Sequence, residues 1–212
     1  MSTAVLFERL ALEYDEWYRH HRVTAENEVK LVREVLPGDL RPCLEVGVGS
    51  GFFASHVGCM YGVDPSVSML RIARGRGVEV AVGRGEMLPI ATGSIAAVLI
   101  VVTICFLDDP VEALREAWRV LKPGGVLVVC IVPRESPWGV YYSRLGEEGH
   151  PFYSKARFYT VRELVEMAEE AGFRLEGIKA TLTYKPWEEE RPDSIVEYTG
   201  KEGFACLRLA RR

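Results

Sequence analysis

The sequence predicts a doubly wound α/β sheet, and three observations carry that expectation. A short apolar run, Cys43-Leu44-Glu45-Val46, leads into Gly47-Val48-Gly49-Ser50-Gly51, after which helical periodicity starts near Phe52. Strand-like runs then alternate with helical ones through most of the chain, the pattern of helices packed on both faces of a sheet. The run 95–102 is almost wholly apolar, as a central parallel strand covered on both faces must be.

Composition bounds the rest. A chain of 212 residues is long enough for one full core. A net charge of −4 gives no broad attraction to phosphate backbones. No apolar run is long enough to span a membrane, and the N-terminal stretch, with Glu8, Glu13 and Asp15, lacks a signal-peptide pattern. A cytoplasmic protein is expected. Cys43, Cys59, Cys105, Cys130 and Cys206 are odd in number, include no C-x-x-C, and mostly sit in apolar runs. They are expected to be buried thiols, neither disulfides nor metal ligands, and no metal site is expected. Asn27 is the single Asn, Gln is absent, and Arg is favoured over Lys. That depletion of heat-labile amides suggests a thermophile.

In chain order, Val5, Leu6, Leu10, Tyr14, Trp17 and Tyr18 fall mostly at helical spacing over 3–20. A second helix is expected from Thr24 as N-cap to Leu36, ended by Pro37-Gly38. After the glycine run come a short helix 52–57, a strand 60–63, a helix opened by Pro65 or Ser66, and a strand 78–82. Asp108-Asp109 precede a helix that Pro123-Gly124-Gly125 closes before a strand 126–132. From 133 to 159 the periodicity dissolves, yet the span holds Trp138, Tyr141, Tyr142, His150, Phe152 and Tyr153. It is too long for an idle connection and too aromatic for disorder. Thr160-Val161-Arg162-Glu163 is a capping box opening a helix to Ala171. Strands 175–184 and 204–210 complete the pattern, with the charged stretch 188–193 as a solvated loop.

The glycine run carries chemistry. Glycine lets a backbone turn tightly and lie against a ligand, and such a turn aims N–H groups at a nucleotide-like occupant. The dinucleotide fingerprint fails, because the third glycine comes one position early and Phe52 stands where the last should be. No Lys follows, so the run is not a P-loop either. Glu45, two places before the first glycine, can accept from a ligand ammonium. Tyr61-Gly62-Val63-Asp64-Pro65-Ser66 puts a carboxylate at a strand tip, where it can bind ribose hydroxyls. An ammonium acceptor, a backbone cradle and a ribose acceptor together describe S-adenosyl-L-methionine (SAM).

These residues resemble the class I SAM-dependent methyltransferases, in particular the small-molecule type 11 branch. Gly83-Arg84-Gly85-Glu86-Met87-Leu88-Pro89-Ile90, the run 95–102 and Leu121-Lys122-Pro123-Gly124-Gly125-Val126 match in order and spacing, so the resemblance covers about 40 to 132. It implies a Rossmann-like seven-stranded sheet of order 3-2-1-4-5-7-6 with strand seven antiparallel. It also implies a single domain over 1–212: a helical N-terminal lid 1–38, a cofactor-binding core 39–132, an aromatic substrate-lid insertion 133–159, and a C-terminal helix and strands 160–212. Tyr14-Asp15-Glu16-Trp17-Tyr18 resembles the family's N-terminal Y-D-x-W segment. The implied cofactor is SAM. Glu45, Gly47, Gly49 and Gly51 would hold its methionine end, Asp64 its ribose and Gly85-Glu86 its adenine edge. Pro65 and Thr103 complete the cofactor set, Thr103 beside the sulfonium or the carboxylate. Arg84 stands where relatives commonly have Asp, and arginine accepts no hydrogen bond, so the adenine contact falls to Glu86 or backbone.

Methyl transfer from a sulfonium needs alignment above all, worth about 7–11 kcal/mol. An amine or phenol acceptor must also lose a proton. Tyr14, Tyr18, His150 and Tyr153 are the candidate catalytic residues, with His20 and His21 beside them. The expected function is methyl transfer to a small-molecule acceptor. The alternatives are a protein or RNA methyltransferase, which an exposed basic groove would favour, and a SAM-binding protein without catalysis. A nucleic-acid acceptor is disfavoured: no [DN]-P-P-[FY] run is present, and Asp108-Asp109-Pro110 lacks the second proline and the aromatic. The two aspartates are expected at a solvated helix N-terminus, not around a metal.

Overall fold

The structure, a computed structural model, describes residues 3–38 and 41–211. Met1, Ser2, Asp39, Leu40 and Arg212 lie outside the described residues, and with them the boundary expected at 38/39 and both ends of the expected domain.

The sheet grows outward from β1 (Cys43–Val46), which pairs in parallel with β2 (Tyr61–Asp64) and β4 (Ile95–Val101). β3 (Glu79–Val82) extends it beyond β2, and β5 (Leu121–Ile131) beyond β4, again in parallel. β8 (Phe204–Arg211) lies antiparallel between β5 and β6 (Phe173–Thr181). A two-residue strand, β7 (Val196–Glu197), flanks β6. The order is β3-β2-β1-β4-β5-β8-β6-β7. Apart from β7 this is the expected seven-stranded arrangement. A pairing of two residues is too short to leave a periodic signal.

β4 shows what holds the layers. All seven of its residues are buried. Ala97, Leu99 and Val101 face one apolar layer with α3 (Arg22–Val35), α4 (Phe52–Val57) and α5 (Val67–Gly75). Val98 and Ile100 face the other, with α6 (Pro110–Val120) and α8 (Val161–Glu170). Successive strand side chains point to opposite faces, so an unbroken apolar run is what two covered faces demand. Leu99 and Ile100 are fully buried, each worth about 1.5–3 kcal/mol. The helix starts follow local chemistry. Ser66 caps α5, accepting from the Met69 N–H at 3.2 Å, and Asp109 caps α6, accepting from the Glu112 N–H at 3.0 Å. The Thr160–Glu163 box closes in both directions, at 3.1 and 2.7 Å.

Tertiary contacts overrode local signals elsewhere. The first helix breaks at Leu10 into α1 (Thr3–Arg9) and α2 (Ala11–His20). α3 starts at Arg22, and Thr24 lies inside it; its hydroxyl meets that of Tyr184 at 2.9 Å instead of capping. The span 133–159 is not irregular throughout. It contains α7 (Pro137–Glu147), which buries Trp138 and Tyr142 at i, i+4. Gly139 hid this helix from sequence reading; glycine is required there because a Cβ would lie 2.1 Å from the Pro133 carbonyl oxygen. The 188–193 stretch is tied down as well. Asn27 donates to the Arg191 carbonyl at 2.8 Å and accepts from the Asp193 N–H at 3.0 Å, and Glu190 lies 2.7 Å from His21 Nδ1.

The cysteine expectation is corrected. Cys43–Cys59 and Cys130–Cys206 are disulfides, and Cys105 is the buried free thiol. Sequence spacing could not show the pairing. Cys130 and Cys206 lie 76 positions apart, and become neighbours only as register partners across β5 and β8. Closing loops of 16 and 76 residues constrains the unfolded chain by about 3 and 4.5 kcal/mol in the chain-entropy account. Alkylation of the denatured, unreduced protein should therefore label one thiol, and of the reduced protein five. Reduction should lower the thermal midpoint by about 10 °C or more. Five labelled thiols before reduction would mean the bonds are absent.

Candidate active site

The site forms where the tips of β1, β2 and β4 meet. The Gly47 and Val48 N–H groups both donate to the Val63 carbonyl, at 2.8 and 3.1 Å. The Gly49 N–H donates to Asp64 Oδ2 at 3.0 Å, and the Ser66 N–H to Oδ1 at 2.8 Å. Thr103 Oγ1 lies 3.1 Å from the Gly47 carbonyl and 3.0 Å from that of Val101. Gly47 has φ +69°, and a Cβ there would fall 2.1 Å from Thr103 Cγ2. Burial raises the Asp64 pKa despite its two N–H donors, and the nearby Glu8 charge adds to the rise.

A cavity opens above this junction. Gly47, Gly49, Asp64, Pro65, Gly85, Glu86 and Thr103 all line it. Two expected members do not. Gly51 is the N-cap of α4 with φ +75°, and a Cβ there would come within 2.9 Å of Ala73 Cα on α5, so its glycine serves the turn and helix packing. Glu45 is 2% exposed on β1 and lines neither cavity. Its Oε2 has no hydrogen-bond partner, and burial holds its pKa well above the carboxylate range. Glu86 Oε1 accepts from the Asp108 and Asp109 N–H groups at 3.0 and 3.3 Å, while Arg84 pairs with Asp108 and Glu86. Glu86 thus shapes the loop ahead of α6.

The N-terminal helices are moored over the junction by two charge contacts. Glu8 accepts from Ser66 Oγ at 2.8 Å and from the Ser68 N–H at 2.9 Å, at the start of α5. Those hydrogen bonds pull its pKa down to about 2. Asp15 holds Arg76 in a two-pronged pair at 2.7 and 3.0 Å, and Arg76 also donates to the Ser50 carbonyl at 2.6 Å. Phe52, where the dinucleotide fingerprint wants glycine, stacks on Tyr18 at 3.9 Å. Each contact ties α1 or α2 to the glycine turn or to α5.

Beside the first cavity lies a second, of about 340 Å³, within the range of small-molecule sites. Every catalytic candidate lines it: Tyr14, Tyr18, His20, His21, His150 and Tyr153. Tyr142 and His150 stack on either side of Tyr153, each at 4.3 Å. Burial raises the pKa of Tyr14, Tyr18 and Tyr142, pushes Tyr153 up to about 12, and lowers His150. The phenols therefore stay protonated near neutral pH, and none is a ready base. Sequence reading missed Glu28, which lines this wall from α3 and is 5% exposed. Its signal was legible: a charge on an otherwise apolar stripe with Ala25, Val32 and Val35.

Tyr14, Val102 and Phe106 line both cavities. Val102 has φ 48°, a strained conformation for a β-branched residue, costing about 1–3 kcal/mol. Its N–H is fixed to the Cys130 carbonyl at 2.9 Å. The strained residue thus stands in the partition between the two cavities.

Comparison with known proteins names the family. Residues 44–129 match a family model described as a methyltransferase domain. A crystal structure of a SAM-dependent methyltransferase from Thermotoga maritima, named a possible histamine N-methyltransferase, superposes with a TM-score of 0.93. It is 40% identical and the match covers 99% of both chains. The chain belongs to the class I SAM-dependent methyltransferases of the type 11 branch. SAM is the cofactor of that family. A Methanocaldococcus jannaschii protein is 33% identical over 95% of this chain and 97% of its own length. A Mycobacterium tuberculosis protein is 40% identical over 84% of this chain, which spans 63% of that relative's length.

The turn geometry separates two glycines. Gly47→Ala collides with Thr103 and should lower the thermal midpoint by several degrees while abolishing SAM binding. Gly49→Ala has φ +50° but nothing within 4 Å of its Cβ; it should cost about 1–2 kcal/mol of stability and still weaken SAM. Calorimetry and thermal denaturation of the two variants check this, and equal stability losses would count against the contact with Thr103.

Proposed function

We propose that this protein transfers a methyl group from SAM to a small-molecule acceptor held in the aromatic cavity. The observation that carries the reading is the shared wall of Tyr14, Val102 and Phe106, which sets the 340 Å³ aromatic space directly against the cavity that the glycine turn and Asp64 line. When bound, SAM supplies an electrophilic methyl group on a sulfonium.

The residues present fit that cofactor. Each Asp64 oxygen accepts one backbone N–H and keeps a lone pair for a ribose hydroxyl. Gly47 and Gly49 give the backbone approach, and Pro65, Gly85 and Glu86 border the adenine side. The unpartnered Oε2 of Glu45 supports its assignment to the methionine ammonium. Thr103 holds the glycine turn against β4. The work of α2 and of the 133–159 segment is to position the acceptor and keep water out. No Lys or Arg lines the second cavity among the described residues, whereas a nucleic-acid acceptor needs an open, basic groove. The name of the Thermotoga relative, whose printed acceptor is a small molecule, supports the same choice. No helix among the described residues is long and apolar enough to cross a membrane. Two disulfides and an amide-poor, Arg-rich sequence support a heat-stable protein from a thermophile.

Two variants and one assay test the reading. Asp64→Ala removes two charge-assisted hydrogen bonds to ribose, about 1.5–3 kcal/mol each, so SAM affinity by calorimetry should fall more than tenfold. Tyr153→Ala should keep SAM affinity within a few fold and suppress turnover. Incubation with methyl-labelled SAM and fractionated cell extract should place label in a small-molecule fraction. Label confined to protein or RNA would overturn the acceptor class.

A further inference from the structure

We propose that the acceptor is a protonated amine, anchored in the second cavity by the Glu28 carboxylate and the aromatic faces around it, with Glu28 taking its proton. This rests on the reading of that cavity as the acceptor site.

The position of Glu28 is the starting observation. It sits on the buried face of α3 and lines the cavity. No described group hydrogen-bonds its carboxyl, although it is 5% exposed. Burying an unpaired carboxyl is costly, and an apolar residue would continue the Ala25, Val32, Val35 stripe without that cost. A charged ligand that completes the pair resolves the discrepancy. The surroundings select its sign. Trp17, Tyr18, Phe53 and Tyr142 present rings to the cavity, and ring faces attract cations. Glu13 and Glu16 add negative charge to the same wall, and Lys and Arg are absent from it among the described residues. Three histidines line it, but His21 is committed to Glu190 at 2.7 Å, and burial favours neutral His150. An anionic acceptor would meet three glutamates and no Lys or Arg among the described residues of that lining.

The same surroundings suit Glu28 to proton transfer. Burial, with the Glu190 charge behind it, pushes its pKa up to about 8. Tyr14 and Tyr18 from α2, Tyr142 from α7, Tyr153, and Tyr184 beyond β6 all feel its charge, and all are themselves held above the usual phenol pKa. Glu190 is the one other charged group acting on it. As the acceptor N–H bond breaks, its electron pair stays on nitrogen and the proton goes to a Glu28 oxygen. The nitrogen pair forms the new N–CH3 bond as the methyl's C–S bond breaks, its pair remaining on sulfur. The methylated amine leaves with the positive charge, and Glu28 returns its proton to water.

The test is direct binding, with no turnover required. Phenethylamine is the probe and 2-phenylethanol its neutral counterpart, titrated into the whole protein by calorimetry. The amine should bind at least tenfold more tightly than the alcohol. Its affinity should rise as pH increases from 6.5 to 9, because the ionised carboxylate is the form that pairs. Glu28→Gln should lose that advantage and that pH dependence, while SAM affinity stays within twofold. A raised carboxyl pKa makes the ionised form costly to the fold above the unfolded pKa. Glu28→Gln should therefore raise the thermal midpoint at pH 9 and change it little at pH 5, which shows that the variant folds. Equal binding of amine and alcohol, or an unchanged amine affinity in Glu28→Gln, overturns the inference. If wild-type protein fails to bind SAM, the methyltransferase reading itself falls; if it binds SAM but not phenethylamine, only the amine inference does.

Discussion

The absence of a side chain at Gly47 is the constraint on which the site depends. Because no Cβ is present, Thr103 can close onto the turn and reach its carbonyl. That contact brings the tip of β4 against the tip of β1, while the Val63 carbonyl and the Asp64 carboxylate draw in the tip of β2. Three strand ends thus become one rigid junction, and both cavities are built on it. The strain at Val102 follows from the same closure. The chain must leave β4 abruptly to pass between the cavities, and the Cys130 carbonyl holds it there.

The N-terminal helices are attached to this junction by charge and by ring stacking, not by strand pairing. Asp15 shows the balance of terms. Burial alone would raise its pKa, but the Arg76 guanidinium outweighs it and leaves the group below its ordinary value. Removing Arg76 would leave the buried Asp15 carboxylate without its cation, which destabilises the fold. Arg76 carries a second bond to the Ser50 carbonyl, so the position of α2 is coupled to the glycine turn. Tyr14 and Tyr18 ride on α2, so the wall of the second cavity depends on the contacts that hold α2 to the glycine turn.

The second cavity has the opposite character. Its wall comes from α2, α3, α7 and the loops around Cys105 and His150, elements spread over most of the chain. Aromatic rings give it area and shape at little conformational cost, and the few polar groups stand out against them. Among its carboxyl groups, Glu28 is the buried one, and no hydrogen bond to it is made among the described residues. The disulfides lie outside this wall, one at the base of β1 and one across β5 and β8. They stiffen the sheet that carries the site without entering it.

Much of the cofactor half was legible because it is local. Gly47, Gly49, Asp64 and Thr103 announce themselves by residue type at fixed distances from strand ends, and the backbone brings such residues to one edge of a parallel sheet. The capping box at Thr160 and the buried run of β4 follow from short-range pattern in the same way, whereas the strand order is what the family resemblance implies. What failed depended on distant partners. Thr24 gave up a cap for Tyr184, α7 hid behind a glycine that a neighbouring carbonyl requires, and Cys130 found Cys206 only through antiparallel register. The wall of the second cavity belongs to that second class. The sequence by itself determined which segments form strands, where the glycine turn breaks the first of them and that a carboxylate ends the second, because each is written in residue type and periodicity over a few positions. Only the tertiary structure decided that Glu28 lines one cavity with rings from α2, α4 and α7, because burial without a partner is a property of the assembled wall and not of the helix that carries it.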